Sequence, residues 1–266
     1  MDSIKHYCEV TRQYDDELTQ AVARSVIPET IQAIEDQATQ LKALLAWFKQ
    51  DFFSWVDVPS CSSCGNDGKN LEPQAAGEPT QEEVEGGASR VEVYRCPNCQ
   101  QETRFPRYTQ VMKLCETRQG RCGEWANCFS ALVRSLGHET RYVIDWTDHV
   151  WTEAYLRQEQ RWVHMDACEN AYDAPKMYEK GWGKKLTYCI AVSGDEAVDV
   201  TQRYIVNKMA NRMRRTEVPE LWLDHNLFQL REAILFERHP DRAAEVKGRL
   251  AREKEELKGL AGKGND

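Results

Sequence analysis

The chain has 266 residues, 41% of them hydrophobic and 29% charged, with a formal net charge of −8. That composition fits a soluble folded protein with a full core, and its acidic balance speaks against nucleic acid as the main partner. No apolar run is long enough to cross a bilayer, and "MDSIKHYCEV" lacks the apolar stretch of a signal peptide, so membrane insertion is not expected. The expected compartment is the cytoplasm or nucleus, where ten cysteines point to metal binding or catalysis more than to disulfides.

In chain order, Ile31, Ile34, Ala38, Leu41, Leu45 and Phe48 recur at steps of three and four, which predicts one helix from Glu29. Residues 66–90 are acidic, rich in Gly and Pro and nearly devoid of large apolar groups, and read as a flexible loop. "VEVYRCPNC" reads as extended. After Cys122, the positions Phe129, Leu132, Val133 and Leu136 predict a buried helix face, with Gly137 as its C-cap. "TRYVIDW", "HVWTEAYL", "RWVHMDA" and "LTYCIAVS" predict strands. From Val218, Leu223, Leu227, Leu230 and Ile234 form a helical stripe flanked by Trp222, Phe228, Leu235 and Phe236. The order predicts an α+β fold. Its expected divisions are N-terminal helices (1–55), a metal-binding lobe (56–107), a catalytic region (108–215) and a C-terminal helical segment (216–266).

Cys61-Ser-Ser-Cys64 and Cys96-Pro-Asn-Cys99 each place two sulfurs at metal-knuckle spacing, and 31 residues separate the pairs. Four thiolates predict a tetrahedral zinc site with no position left for water, hence a structural Zn2+. A redox role for CxxC pairs is the alternative. Cys122 stands behind Gly and Arg at a helix start, where backbone N–H groups favour a thiolate, and Arg121 adds a neighbouring charge. A small packed residue is the plain alternative. In a hairpin turning near Arg157–Gln160, odd-numbered His149, Trp151 and Glu153 share one face of their strand. Even-numbered Trp162, His164 and Asp166 share one face of the other. A pairing centred between Arg157 and Gln158 sets His149 opposite Asp166, although alternation alone does not fix that register. A Cys122–His149–Asp166 relay is then available, with His164 the competing base and Asp148 the competing acid. His6, His225 and His239 fall in helical or terminal segments.

"RFPRYTQVMKLCETRQGRCGEWANCF", "RYVIDWTDHVWTEAY", "RWVHMDACEN", "GWGKKLTYCIAVS" and "AVDVTQRY" resemble the catalytic core of the cytoplasmic peptide:N-glycanases. The resemblance runs from about Trp47 to Tyr204 and leaves no room for the extra terminal domains of the animal members. It implies a transglutaminase-like, papain-like core with an antiparallel sheet, an inserted four-cysteine zinc lobe and helical terminal segments. It implies Cys122 as nucleophile, His149 as base and Asp166 as orienting acid, with zinc on Cys61, Cys64, Cys96 and Cys99. The implied reaction frees intact glycans at the chitobiose core of misfolded N-glycoproteins during endoplasmic-reticulum-associated degradation. The implied partner is a proteasome shuttle protein with a ubiquitin-like domain, docked on the terminal helices. Trp151, Glu153, Glu169 and Trp182 are the expected glycan contacts, by stacking on sugar faces and bonding hydroxyls. The alternatives on the same fold are a cysteine protease and a non-enzymatic binding module. A zinc-dependent interaction module is a third.

Overall fold

The structure, a computed structural model, describes residues 1–238 and 241–262. Four helices open the chain: α1 (Asp2–Arg12), α2 (Glu17–Ser25), α3 (Glu29–Gln32) and α4 (Gln37–Trp47). The stripe from Ile31 to Phe48 therefore spans two helices where one was expected. Asp36 makes the break, because its carboxylate accepts the Thr39 N–H at 2.8 Å and starts a new helix.

Strand β1 (Ser54–Trp55) leads into a lobe of β2 (Glu72–Pro73), α5 (Gln81–Glu85), β3 (Val91–Arg95) and β4 (Glu102–Pro106). Residues 66–90, read from composition as a loop, carry β2 and α5. Thr80 and Glu83 form a reciprocal capping box that starts α5. Glu83 then accepts two N–H groups of Arg104 on β4, at 2.9 and 2.6 Å. The lobe's apolar core is small, consisting of Leu71, Tyr94 and Phe105 with Cys61 and Cys96.

Next come α6 (Val111–Thr117), β5 (Gln119–Gly120) and α7 (Cys122–Ser135). The main sheet follows with β6 (Thr140–Asp145), β7 (His149–Leu156), β8 (Arg161–Asp166), β9 (Ala171–Tyr172), β10 (Cys189–Val192) and β11 (Ala197–Asp199). The short helix α8 (Met177–Lys180) lies between β9 and β10. The strands are ordered β11-β10-β6-β7-β8-β9, each pair antiparallel. Helix α7 crosses β6 and β7 and is covered on its other side by α2, α4 and α6. Trp125, Cys128, Phe129, Leu132 and Val133 are buried there as one cluster. A helix apolar around most of its circumference belongs in this central place. Gly137 follows its last turn at φ +86°, the left-handed conformation expected of a C-terminal stop.

The chain closes with α9 (Thr201–Tyr204), α10 (Lys208–Arg214), α11 (Glu220–Arg238) and α12 (Ala243–Gly262). Leu223, Leu227 and Ile234 of α11 pack on Ile4, Tyr142, Ile144 and Ile190, while Leu221, Trp222, Phe228 and Phe236 stay exposed. Helix α12 is held by charge. Arg141 of β6, Glu153 of β7, Arg203 of α9 and Glu253 of α12 are all buried. Arg141 donates to Glu253 at 2.7 Å and also to Glu153. Arg203 donates to Glu153 at 2.7 Å and to Glu253 at 2.8 Å. Glu196, also buried, stands 3.5 Å from Arg141 and 3.2 Å from the buried Arg249, so three arginines and three glutamates answer one another away from water. Glu253→Ala removes the carboxylate that Arg141 and Arg203 share and leaves their buried N–H groups short of acceptors, with an expected loss of about 3–5 kcal/mol in chemical denaturation. A loss under about 1 kcal/mol, the size of an exposed pair, would show that α12 is not anchored this way.

Candidate active site

Strands β1 and β5 pair in parallel, matching Trp55 with Gly120, and this delivers Cys122 to the first position of α7. Glu124 folds back so that its carboxylate accepts the Arg121 N–H at 2.9 Å. A side chain at position 120 would occupy the space of Glu124, so glycine is required there. Arg107 holds the same carboxylate through two N–H groups, at 2.7 and 2.8 Å. The Trp125 indole N–H donates to the Gly120 carbonyl at 3.2 Å, and its ring packs on Phe48 and Phe53. Arg121 does not serve as the expected charge beside the sulfur. Its guanidinium turns to the lobe and grips Glu92 of β3 at 3.1 and 2.7 Å. Cys122 is half-buried, whereas Cys8, Cys115, Cys128, Cys168 and Cys189 are buried.

His149 opens β7 and Asp166 ends β8. The hairpin register is shifted by two from the pairing centred between Arg157 and Gln158. Glu153 stands opposite His164 and Thr152 opposite Met165, so His149 lies diagonal to Asp166 instead of directly across. The four residues 157–160 all belong to the turn, which moves the centre of the ladder. An even shift keeps both side chains on one face, and His149 Nε2 meets Asp166 Oδ2 at 2.8 Å. Burial pulls the imidazole pKa down, but the hydrogen bonds to Asp166 and Cys122 and their charges outweigh it and raise it to about 9.

The competitors are placed elsewhere. His164 is buried and pulled down to about 4 by desolvation, with its Nε2 on the Tyr178 hydroxyl at 2.6 Å. Asp148 sits in the turn before β7 at φ +70° and lines the cleft, while Asp166 carries the bond to His149. His6 and His225 are exposed on α1 and α11, and His239 lies outside the described residues.

Cys122 and His149 open into a cleft of about 970 Å³. Trp182 and Glu169 line it, with Trp182 5.0 Å from the His149 ring. Trp151 and Glu153 do not reach it, contrary to their expected role. Both are fully buried. Trp151 stacks on Tyr178 at 4.3 Å, and Glu153 accepts from Arg141, Arg203 and the Tyr204 hydroxyl. Strand parity placed them on the right face, but further along β7 that face is covered by α8, α9 and α12. Trp55 and Lys49 on the opposite wall carried no motif signal, because they enter the cleft from the distant segment after α4. Tyr178 was missed for the same reason, since it comes from the irregular connection between β9 and β10.

The sulfurs of Cys61, Cys64, Cys96 and Cys99 lie within 4.8 Å of one another, with Cys61–Cys99 at 3.5 Å and Cys64–Cys96 at 3.6 Å. Both knuckles close alike: Gly65 N–H donates to the Cys61 carbonyl and Gln100 N–H to the Cys96 carbonyl. Gly65 and Gln100 both take positive φ, at +71° and +63°. A zinc–sulfur bond of about 2.3 Å sets tetrahedral sulfurs about 3.8 Å apart, so the cluster can hold a metal ion.

The family model of the transglutaminase-like superfamily matches residues 70–167, and that of the Rad4 transglutaminase-like domain matches residues 137–259. Proteins named peptide-N(4)-(N-acetyl-β-glucosaminyl)asparagine amidase are similar to much of the chain. That of Caenorhabditis briggsae is 50% identical over 75% of this chain and 33% of its own length. That of Arabidopsis thaliana is 42% identical over 88% and 35%, and that of Homo sapiens 50% identical over 71% and 29%. The chain belongs to the peptide:N-glycanase family of the transglutaminase-like superfamily. It spans about a third of the length of these curated relatives. A solved structure of Rad4–Rad23 bound to a 6-4 photoproduct UV lesion matches 90% of the chain and 56% of that chain. At 14% identity and a TM-score of 0.53, it shares the fold.

In this peptide:N-glycanase family member the four-sulfur cluster and the Arg121–Glu92 pair join the lobe to the start of α7. Removing the metal with a chelator, or Cys61→Ser, is expected to lower the thermal midpoint, since metal binding is coupled to folding. An unchanged midpoint in both would show that the lobe holds without a metal.

Proposed function

We propose that the chain is the catalytic core of a peptide:N-glycanase, an amidase that cleaves between the innermost N-acetylglucosamine and the asparagine side chain of N-glycoproteins. The observation that carries this reading is the 2.8 Å bond between His149 and Asp166, with the imidazole opening into the same cleft as Cys122 at the N-terminus of α7. Cys122 Sγ attacks the side-chain amide carbon after its proton has moved to His149. The unpaired N–H groups that begin α7, that of Cys122 included, face the developing oxyanion. The C–N bond breaks, His149 gives its proton to the departing glycosylamine nitrogen, and a thioester remains on Cys122. Water hydrolyses the thioester, returning the thiol and leaving aspartate. Trp182 and Glu169 take the glycan, and the Trp55 indole, 47% exposed on the other wall, adds a second stacking face.

The ion for Cys61, Cys64, Cys96 and Cys99 is zinc, because four thiolates favour it and leave no site for a reacting water. Its role is structural, and metal analysis is expected to return about one zinc per chain. The substrates are misfolded N-glycoproteins, met in the cytoplasm or nucleus during their disposal. The exposed Leu221, Trp222, Phe228 and Phe236 of α11 support docking of a proteasome shuttle protein with a ubiquitin-like domain. Trp222→Asp combined with Phe228→Asp is expected to abolish capture of that protein in a pull-down; retained capture would move the dock elsewhere.

Incubation with a denatured N-glycoprotein is expected to yield free glycan and an asparagine converted to aspartate. Cys122→Ala abolishes release in a folded protein, and Asp166→Asn or His149→Ala adds nothing to that loss, because the three act as a unit. Release by the parent falls as pH rises through about 9, where His149 loses the proton it must donate. Glycan release by folded Cys122→Ala would overturn the assignment.

A further inference from the structure

Asp166 has four donors and no contact with solvent. Oδ1 accepts the main-chain N–H groups of Cys168 and Glu169, at 2.9 and 3.3 Å. Oδ2 accepts His149 Nε2 at 2.8 Å and the Tyr178 hydroxyl at 2.9 Å. The Tyr178 oxygen also meets His164 Nε2 at 2.6 Å. A hydroxyl has one proton to donate, so its direction depends on which partner donates to it. His164 decides the matter. The Ala174 N–H points at its Nδ1 at 3.4 Å, which makes Nδ1 the acceptor and leaves the proton on Nε2. His164 donates to Tyr178, and Tyr178 donates to Asp166. The Tyr178 ring has no freedom to reorient, because it stacks on Trp151 at 4.3 Å and meets Trp182 edge-on at 5.2 Å.

We infer that Tyr178 and His164 are positioning residues of the triad: by donating in series toward Asp166 Oδ2, they divide its charge and set how tightly His149 holds its proton. The inference rests on the proposed pairing of Cys122 with His149. With the hydroxyl gone, the carboxylate directs more of its charge to the imidazolium, which then releases its proton less readily to a leaving nitrogen. The other titratable groups around His149 are Cys122 on α7, Asp145 across the ladder on β6 with its partner Lys184, Asp148 in the preceding turn, Cys168 and Glu169 past β8, and Lys49 and Asp51 along the cleft. None is altered by Tyr178→Phe. His164 acts through Tyr178, whose donated hydrogen bond it strengthens by polarising the hydroxyl.

The test follows the imidazole resonances of His149 by NMR across pH, assigned by their loss in His149→Gln. This readout needs no glycan. Tyr178→Phe is expected to raise the titration midpoint by about half to one pH unit, to lower kcat roughly tenfold and to leave KM unchanged. His164→Leu should raise the midpoint less, and should add nothing in a Tyr178→Phe background. A midpoint unmoved in folded Tyr178→Phe overturns the inference, as does a His164→Leu shift that persists in full without the hydroxyl. If the parent releases no glycan while the midpoint still moves, the amidase reading fails and this one stands.

Discussion

Burying a carboxylate costs several kcal/mol unless its lone pairs are answered, and Asp166 is answered from three parts of the chain. The turn after β8 supplies two main-chain N–H groups, β7 supplies His149 and α8 supplies Tyr178. Each donor also limits the geometry of its own element. The N–H groups require the chain to turn at once after Asp166. The imidazole fixes the approach of β7, and the hydroxyl holds α8 over the sheet. Burial and ionisation coexist here only because the surroundings are already arranged. The same preorganisation lets His149 stay charged inside the protein.

Cys122 is placed by a second chain of charges, which begins in the lobe. Glu92 holds Arg121 and Arg107, Arg107 holds Glu124, and Glu124 holds the backbone entering α7. Glu92 sits on β3, which runs directly into Cys96, so the cysteine cluster and Cys122 are joined by one continuous path. A lobe with so small an apolar core keeps that path in place by its cysteine cluster and ion pairs more than by packing.

Much of the site was legible because it depends on periodicity. Alternation made a His149–Asp166 pairing available without fixing the register, and the observed shift by two keeps both side chains on one face. The knuckle spacing of the two CxxC pairs was equally direct. What alternation does not report is what covers a face. Trp151 and Glu153 share the parity of His149, yet the helices laid over β7 make one a wall for Tyr178 and the other the centre of a charge cluster. Arg121 misled in a similar way, since sequence neighbourhood to Cys122 says nothing of a carboxylate arriving from β3. Residues 66–90 looked structureless because capping boxes and ion pairs are built from the same polar residues that mark loops.

The charge cluster under α12 has a consequence for synthesis. Arg141 and Glu153 emerge from the ribosome close together and balance each other. Glu196, buried 3.5 Å from Arg141, follows, and Arg203 then balances it. Arg249 and Glu253 come last, Glu253 112 residues after Arg141, and Arg141 and Arg203 both donate to Glu253. Until it has emerged, two guanidinium groups behind the strand carrying His149 lack the carboxylate they share, and drying that side of the sheet is opposed by desolvation. That side of the sheet is therefore expected to stay hydrated until α12 has been made, so a chain cut short before α12 is expected to leave the strand carrying His149 incompletely packed and open to proteolysis.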